Sequence, residues 1–244
     1  MRGTVLAMLV ASALPQGAAS PAELRFHHLH LRDSSPLFRV EFYERLFERS
    51  MTRRVTFAGA AGLQTGTRLI LVSSGLQGRE RAAALWHFGW GKASLGETYL
   101  AHARGEVAWE PPLPPEDLHI HLRSADPVEA AEWYRDVLAA TVQLAPRPAR
   151  ARGRLPPPEY RMPEALVHLG GIPLLIYRAD TPLASSLGQR IDHLAFSCDN
   201  LPAVLSYLRT KQVAVQTTDG DAARAGAMLV GPDRIAIELV ELTQ

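Results

Sequence analysis

Leu118-His119-Ile120-His121-Leu122, followed by Ser124-Ala125-Asp126-Pro127, decides how this chain is read. It is an apolar strand with histidines at alternate positions, then a helix start. Asp126 suits the N-cap and Pro127 the first helical position. The same grammar is written three more times. Phe26-His27-His28-Leu29-His30-Leu31 leads into Ser34-Ser35-Pro36, and Trp86-His87-Phe88-Gly89-Trp90 leads into the capping box Ser94-Leu95-Gly96-Glu97. Asp192-His193-Leu194-Ala195-Phe196 leads into Asn200-Leu201-Pro202. Aligned on the repeat, His28, His87, His119 and His193 are equivalent. A repeat of this length sets the architecture before any single element does.

Each copy reads strand, cap, helix, strands. In copy one the helix spans 37–47, with Phe38, Phe42 and Leu46 along one face, and strands follow at 53–58 and 67–73. Copy three predicts a helix over 128–140 and strands at 141–144, 165–169 and 173–178. Copy four predicts a helix from Leu201 to about Thr210 and strands at 213–217, 227–230 and 234–240. Copy two keeps only Val107-Ala108-Trp109 after its helix and lacks its last two strands. The expected fold class is therefore α+β, built from repeated βαβββ modules. Residues 117–242 are expected to pair into one curved, cup-like mixed sheet with helices outside, and 23–110 to form an incomplete module pair. Pro111-Pro112-Leu113-Pro114-Pro115 makes 111–116 a stiff linker between them. The stretch 145–161, with Arg147, Arg150, Arg152, Arg154 and Arg161 among prolines, has no periodicity and reads as a long loop. It is either a solvated flexible segment or a basic lid.

Bulk composition narrows the function. The chain has 244 residues, with 26 Lys and Arg against 25 Asp and Glu, for a formal net charge of +1. That balance offers no electrostatic case for nucleic acid. Arg2, the apolar run 4–14 and Gly17-Ala18-Ala19-Ser20 have the form of a signal peptide over 1–20. The run is well short of the roughly 20 residues needed to span a bilayer. A periplasmic or secreted protein is expected, with no membrane attachment after signal removal. The single cysteine, Cys198, excludes an intramolecular disulfide.

The last copy closes with Arg234-Ile235-Ala236-Ile237-Glu238-Leu239-Val240, one carboxylate set among apolar residues. Two histidines and a glutamate on neighbouring strands can bind a divalent metal and leave positions open for a substrate. A charge facing a sheet interior is costly unless it is paired or on a metal. By strand period His121 shares the face of His119, as an acid/base group or simply an inward polar residue. His168 is a comparable candidate on the strand before Tyr177. Copy one ends Thr67-Arg68-Leu69-Ile70-Leu71-Val72 without a carboxylate, so His28 and His87 are expected to be structural, in a degenerate cup covering the active one. The missing strands leave sheet edges that need cover from the linker, the N-terminal segment or a partner chain, which would make a homodimer.

The βαβββ repeat, the first-strand histidines and Gly231-Pro232-Asp233-Arg234-Ile235-Ala236-Ile237-Glu238-Leu239 resemble the vicinal oxygen chelate superfamily. That group includes glyoxalase I, bleomycin-resistance proteins and extradiol dioxygenases. The resemblance is good over 117–242 and weaker over 23–110. It implies metal ligands on the first and last strands of paired modules, which are His119, His193 and Glu238 here. The fourth position, on Pro173-Leu174-Leu175-Ile176-Tyr177, falls at Tyr177. Two histidines and one glutamate are more similar to an extradiol dioxygenase than to a glyoxalase. The implied cofactor is a divalent metal, Fe(II) first, with Zn, Mn or Ni as alternatives. His121, His168 and Tyr177 are the catalytic candidates. The implied function is an exported, metal-dependent enzyme, an Fe(II)-dependent dioxygenase or a metal-dependent lyase, acting on a small oxygen-chelating substrate. A metal-free ligand-binding protein of the resistance type and a structural remnant are the alternatives.

Overall fold

A computed structural model describes residues 24–46, 52–75, 81–90, 107–109, 118–146, 162–218 and 226–241. The signal segment 1–20, the helix expected after Ser94, the linker 111–116 and residues 147–161 of the arginine-rich loop lie outside the described residues. Module one comprises β1 (Arg25–Arg32), α1 (Pro36–Leu46), β2 (Thr52–Phe57), β3 (Ala60–Thr65) and β4 (Arg68–Ser73). Module two contributes β5 (Leu85–Trp90) and β6 (Val107–Trp109). Module three is β7 (Leu118–Ser124), α2 (Pro127–Leu138), β8 (Thr141–Leu144), β9 (Ala165–Leu169) and β10 (Ile172–Arg178). Module four is β11 (Ile191–Cys198), α3 (Leu201–Thr210), β12 (Val215–Thr218), β13 (Gly226–Val230) and β14 (Ala236–Glu241).

The helix starts follow local chemistry. Asp126 accepts the backbone N–H groups of Val128 at 3.1 Å and Glu129 at 3.2 Å, satisfying donors that have no partner inside the first turn of α2. Asn200 accepts from Ala203 at 2.9 Å to start α3. α2 buries Ala130, Ala131, Tyr134, Val137 and Leu138 on one face. Helix α1 corrects the expected face. Phe38 is 65% exposed and Phe42 39%, whereas Val40 and Tyr43 are buried against β3 and β4. Val40 and Tyr43 stand at i, i+3, an apolar pair as legitimate as Phe38 and Phe42, and packing chose between them. Strand β3 escaped the sequence reading because Ala-Ala-Gly-Leu-Gln-Thr has weak strand preference. Its Gly62 lets the strand pack closely, since a Cβ there would meet Leu71 Cδ2 at 2.7 Å.

The modules pair in a nested order. β1 runs antiparallel to β11, joining modules one and four in an eight-stranded sheet, β12-β13-β14-β11-β1-β4-β3-β2. β5 runs antiparallel to β7, joining modules two and three in a six-stranded sheet, β6-β5-β7-β10-β9-β8. Residues 117–242 therefore do not close on themselves as one paired cup. β7 has β5 on one edge and β10 on the other, so neither edge is left for β11. Alternation along a strand says which face is buried; it does not name the neighbouring strand.

One face of each sheet contributes to a single continuous core. Leu29, Leu31, Ile70, Val72, Leu194, Phe196, Ile237 and Leu239 come from the larger sheet, and Leu118, Ile120, Leu174 and Ile176 from the smaller. Tyr43 of α1 meets Phe88 of β5 with ring centroids 5.7 Å apart. The β9–β10 turn docks under the first strands: the Phe26 N–H donates to Gly170 O at 2.8 Å. Gly170 has φ +59°, and a Cβ there would lie 2.7 Å from Phe26 N, so glycine is required on both counts. No helix among the described residues is long and apolar enough to cross a membrane.

Candidate metal centre

Residues of the larger sheet that alternate with the core positions face the other way, into a cup. On β1 these are His28 and His30; on β11, His193, directly across from His30; on β14, Glu238, alongside Ala195. Glu238 Oε2 lies 3.3 Å from His193 Nε2 and 3.5 Å from His28 Nε2. Ring nitrogens of His28, His30 and His193 lie within 4.8 Å of one another, the one such cluster of ligating atoms among the described residues. The His30 ring stacks on that of His193, with centroids 4.5 Å apart and planes 22° apart. His28 and His193 are buried, and their Nε2 atoms make no hydrogen bond among the described residues.

The far sides of these rings are held. His193 Nδ1 lies 2.6 Å from Asp192 Oδ1, and Asp192 is fully buried. Asp192 Oδ2 accepts the Gly188 N–H at 2.7 Å and the Arg32 Nε–H. His28 Nδ1 lies 2.7 Å from His27 Nδ1, so one of those two nitrogens must carry the hydrogen. His30 Nε2 meets Ser73 Oγ at 2.8 Å. Burial, and then the neighbouring imidazoles, push the pKa of His28 well below the usual histidine value. Burial, followed by the charge of His193, lowers His30 to about 4. Burial also opposes charge on His193, but the carboxylates of Asp192 and Glu238 outweigh it and its pKa is raised.

This donor set suits a divalent ion. Two buried imidazole nitrogens without hydrogen bonds converge on one carboxylate, and each ring is supported from behind through Nδ1. Support of that kind is what ligating histidines ordinarily have. Beside the cluster opens a cavity of about 500 Å³ whose polar wall includes His28, His30, Ser73, His193 and Glu238. Its apolar wall includes Leu37, Phe57 and Leu71.

No family model matches the sequence, and no curated protein matches it either. Solved structures do. Glyoxalase I from Zea mays superposes with TM-score 0.58 at 13% identity, covering 89% of this chain and 92% of that chain. A mutant of the same maize enzyme gives TM-score 0.59 at 14% identity, again over 89% and 92%. The chain has the vicinal oxygen chelate fold. Fosfomycin resistance protein FosX from Listeria monocytogenes, solved with Mn(II), matches at 12% identity and TM-score 0.40 over 51% of this chain and 90% of that chain.

Within the vicinal oxygen chelate frame, the structure redistributes the expected residues. His193 and Glu238 come together, and the histidine that joins them is His28. His119 stands on the smaller sheet, across from Gly89 and beside His121, and is not a member of the cluster. His28, read from sequence as structural, is thus a candidate ligand; its carboxylate partner comes from module four, which pairing across β1 and β11 supplies. His121 is buried between His87, at a ring distance of 4.0 Å, and Tyr177, at 5.4 Å, and these three residues stand on the smaller sheet. His168 is exposed on β9. Strand register also moves the fourth ligand position. Ala195, two residues past His193, pairs with Glu238; His121, two past His119, pairs with Leu175; His30, two past His28, pairs with Leu71. The position equivalent to Glu238 is therefore Leu175 in module three, not Tyr177, and Leu71 in module one. His30 and Asp192 are not among the residues that the sequence singles out. The alternate spacing His28-Leu29-His30 was the available signal for the first, while the second depends on a strand irregularity with no sequence mark.

Proposed function

We propose that this protein binds a divalent metal through His28, His193 and Glu238 and uses it to hold a small molecule by two adjacent oxygens. The observation that carries this reading is the convergence of two buried, unbonded Nε2 atoms on Glu238 beside a cavity large enough for a small ligand. Two histidines and one carboxylate on one side of an ion leave the opposite positions open, the arrangement suited to Fe(II) and to a chelating substrate. Zn, Mn and Ni are the alternatives. An ion bound there would supply Lewis-acid polarisation of the substrate oxygens. The chain's own residues do the rest. Leu37, Phe57 and Leu71 receive the carbon skeleton, and the His30–Ser73 pair offers a hydrogen-bonding wall next to the ligand nitrogens. With Leu71 in the fourth position, the donor set resembles a ring-cleaving dioxygenase more than a glyoxalase. Residues 1–20 are proposed to direct export, which N-terminal sequencing of the processed protein from the producing cell will check.

The test is calorimetric titration of metal-free protein with Fe(II) under anaerobic conditions, then with Zn, Mn and Ni, followed by catechol and α-oxo aldehyde assays of the loaded protein. One ion per chain is the expected result. A second reading, metal-free capture of an apolar ligand, is favoured by the apolar wall and by Leu71. Ligand binding with no metal uptake would select it.

A further inference from the structure

Adjacent residues on a regular strand point to opposite faces, yet the side chains of Asp192 and His193 meet at 2.6 Å. The β1–β11 ladder explains this. His30 pairs with His193 and Leu31 pairs with Ile191, so Asp192 is an extra, bulged residue. Bulges re-aim a side chain, and they recur beside active sites. A second one falls on β1: Phe26 pairs with Phe196 and His28 with Ala195, leaving His27 as the extra residue, its Nδ1 against that of His28. Each candidate ligand histidine thus follows a bulged residue that reaches its Nδ1.

We propose that Asp192 is a positioning residue that fixes the ring tautomer of His193; the metal consequence of this rests on the reading of the cup given above. A neutral imidazole carries one N–H, on either nitrogen. Glu238 Oε2, 3.3 Å from Nε2, favours the hydrogen on Nε2, which would tie the ring to the carboxylate and deny both atoms to an ion. Asp192 competes from the other side at shorter range and out of solvent, and as a carboxylate it can only accept. In the neutral ring the hydrogen is therefore held on Nδ1, and the Nε2 lone pair faces the cup. Arg32 and the Gly188 N–H anchor the second oxygen of Asp192, so the carboxylate cannot turn away. Ser186 fixes the backbone at this point, donating to Asp192 O at 2.8 Å and accepting from the Ala236 N–H at 2.8 Å.

The experiment is ¹⁵N NMR of the histidine rings in metal-free protein at about pH 8, on the parent, Asp192→Asn, Asp192→Ala and Arg32→Gln, with calorimetric titration of Fe(II) or Zn on each. The parent should show His193 with hydrogen on Nδ1. Asp192→Ala should move it to Nε2 and weaken metal binding about 10- to 100-fold, the usual cost of losing a residue that supports a ligand. Asp192→Asn should give a mixture of the two forms, and Arg32→Gln a smaller change in the same direction. A merely structural role would lower the melting temperature and leave the tautomer alone. Hydrogen on Nε2 in the parent overturns the proposal, as does an unchanged tautomer and affinity in the alanine variant. The parent spectrum decides even where a variant does not fold. A parent that takes up no metal but shows the Nδ1 form, lost in Asp192→Ala, supports the positioning role and removes the metal reading.

Discussion

On the eight-stranded sheet His30 of β1 stacks on His193 of β11 at 4.5 Å; on the six-stranded sheet His121 of β7 stacks on His87 of β5 at 4.0 Å. The correspondence continues on both sides of these pairs. His28 and His119 stand two residues before the first histidine of each stack. A bulged residue precedes the second: Asp192 on β11, and Trp86 on β5, where Leu85 pairs with Leu122 and His87 with His121. The strand beyond is parallel in both sheets, and Ala195↔Glu238 corresponds to Gly89↔Ala108. Two sheets with the same histidine pattern thus differ at two decisive places, a carboxylate against an alanine and a supporting aspartate against a tryptophan. Where Glu238 and Asp192 are present, the cup opens into a cavity. On the smaller sheet, Trp86 packs edge-on against Tyr177 at 5.6 Å beneath the Arg123 guanidinium, in a cluster with Leu166 and Leu175. Histidines alone do not make the site. The carboxylate and the ring support set the two sheets apart.

The comparison breaks most readily at Glu238. Glu238→Ala removes the sole carboxylate of the donor set, and calorimetry should find no metal uptake, a loss beyond the roughly 100-fold that a supporting residue costs. Retained uptake would mean that the three histidines suffice, and the smaller sheet would regain standing. Next comes packing. Tyr177→Ala removes a large buried ring of the smaller sheet and should cost about 3–5 kcal/mol in denaturant unfolding. Phe57→Ala, on the wall of the open cup, should cost less than half as much. Equal costs would show that both cups are packed alike.

Acid response separates the sheets more finely. Burial, then neighbouring charges, keep His87 and His121 neutral in the fold, with pKa values below 6.5. Such groups take up protons more readily when unfolded, so their contribution is full above pH 6.5 and is lost as pH falls below it. His28 and His30 behave likewise, the latter down to about 4. His193, raised by its two carboxylates against burial, works in the opposite sense: its stabilisation is full below 6.5 and is lost as pH rises through its folded value. The melting temperature of metal-free protein should fall between pH 7 and pH 5, and His121→Phe should make the fall shallower. An unaltered slope would place the acid sensitivity elsewhere. The smallest effect belongs to His168, exposed on β9: His168→Ala should shift stability by no more than about 0.5 kcal/mol and leave metal uptake intact.

Local features were legible in the sequence where local chemistry decides them. Asp126 and Asn200 cap the helices expected of them, β8 and β9 run as read, and β6 is the short remnant strand of the truncated copy. The association of His193 with Glu238 was legible too, because both lie in one module on adjacent parallel strands. What escaped was non-local. Nothing in β7 or β11 says which first strand each will meet, so His119 stood in for His28. The bulges at His27 and Asp192 arise from the β1–β11 ladder and exist only once that pairing is made. The position in β10 that the sequence suggests for Tyr177 belongs to Leu175, because register depends on the partner strand β7.

The nested pairing of modules and its consequence for the metal centre are tested most directly by titrating Fe(II) or Zn into two metal-free variants side by side, His28→Ala and His119→Ala. The His28→Ala protein should lose metal uptake, while the His119→Ala protein should bind one ion per chain like the parent. Loss in His119→Ala with retention in His28→Ala would contradict the account and place the site within residues 117–242.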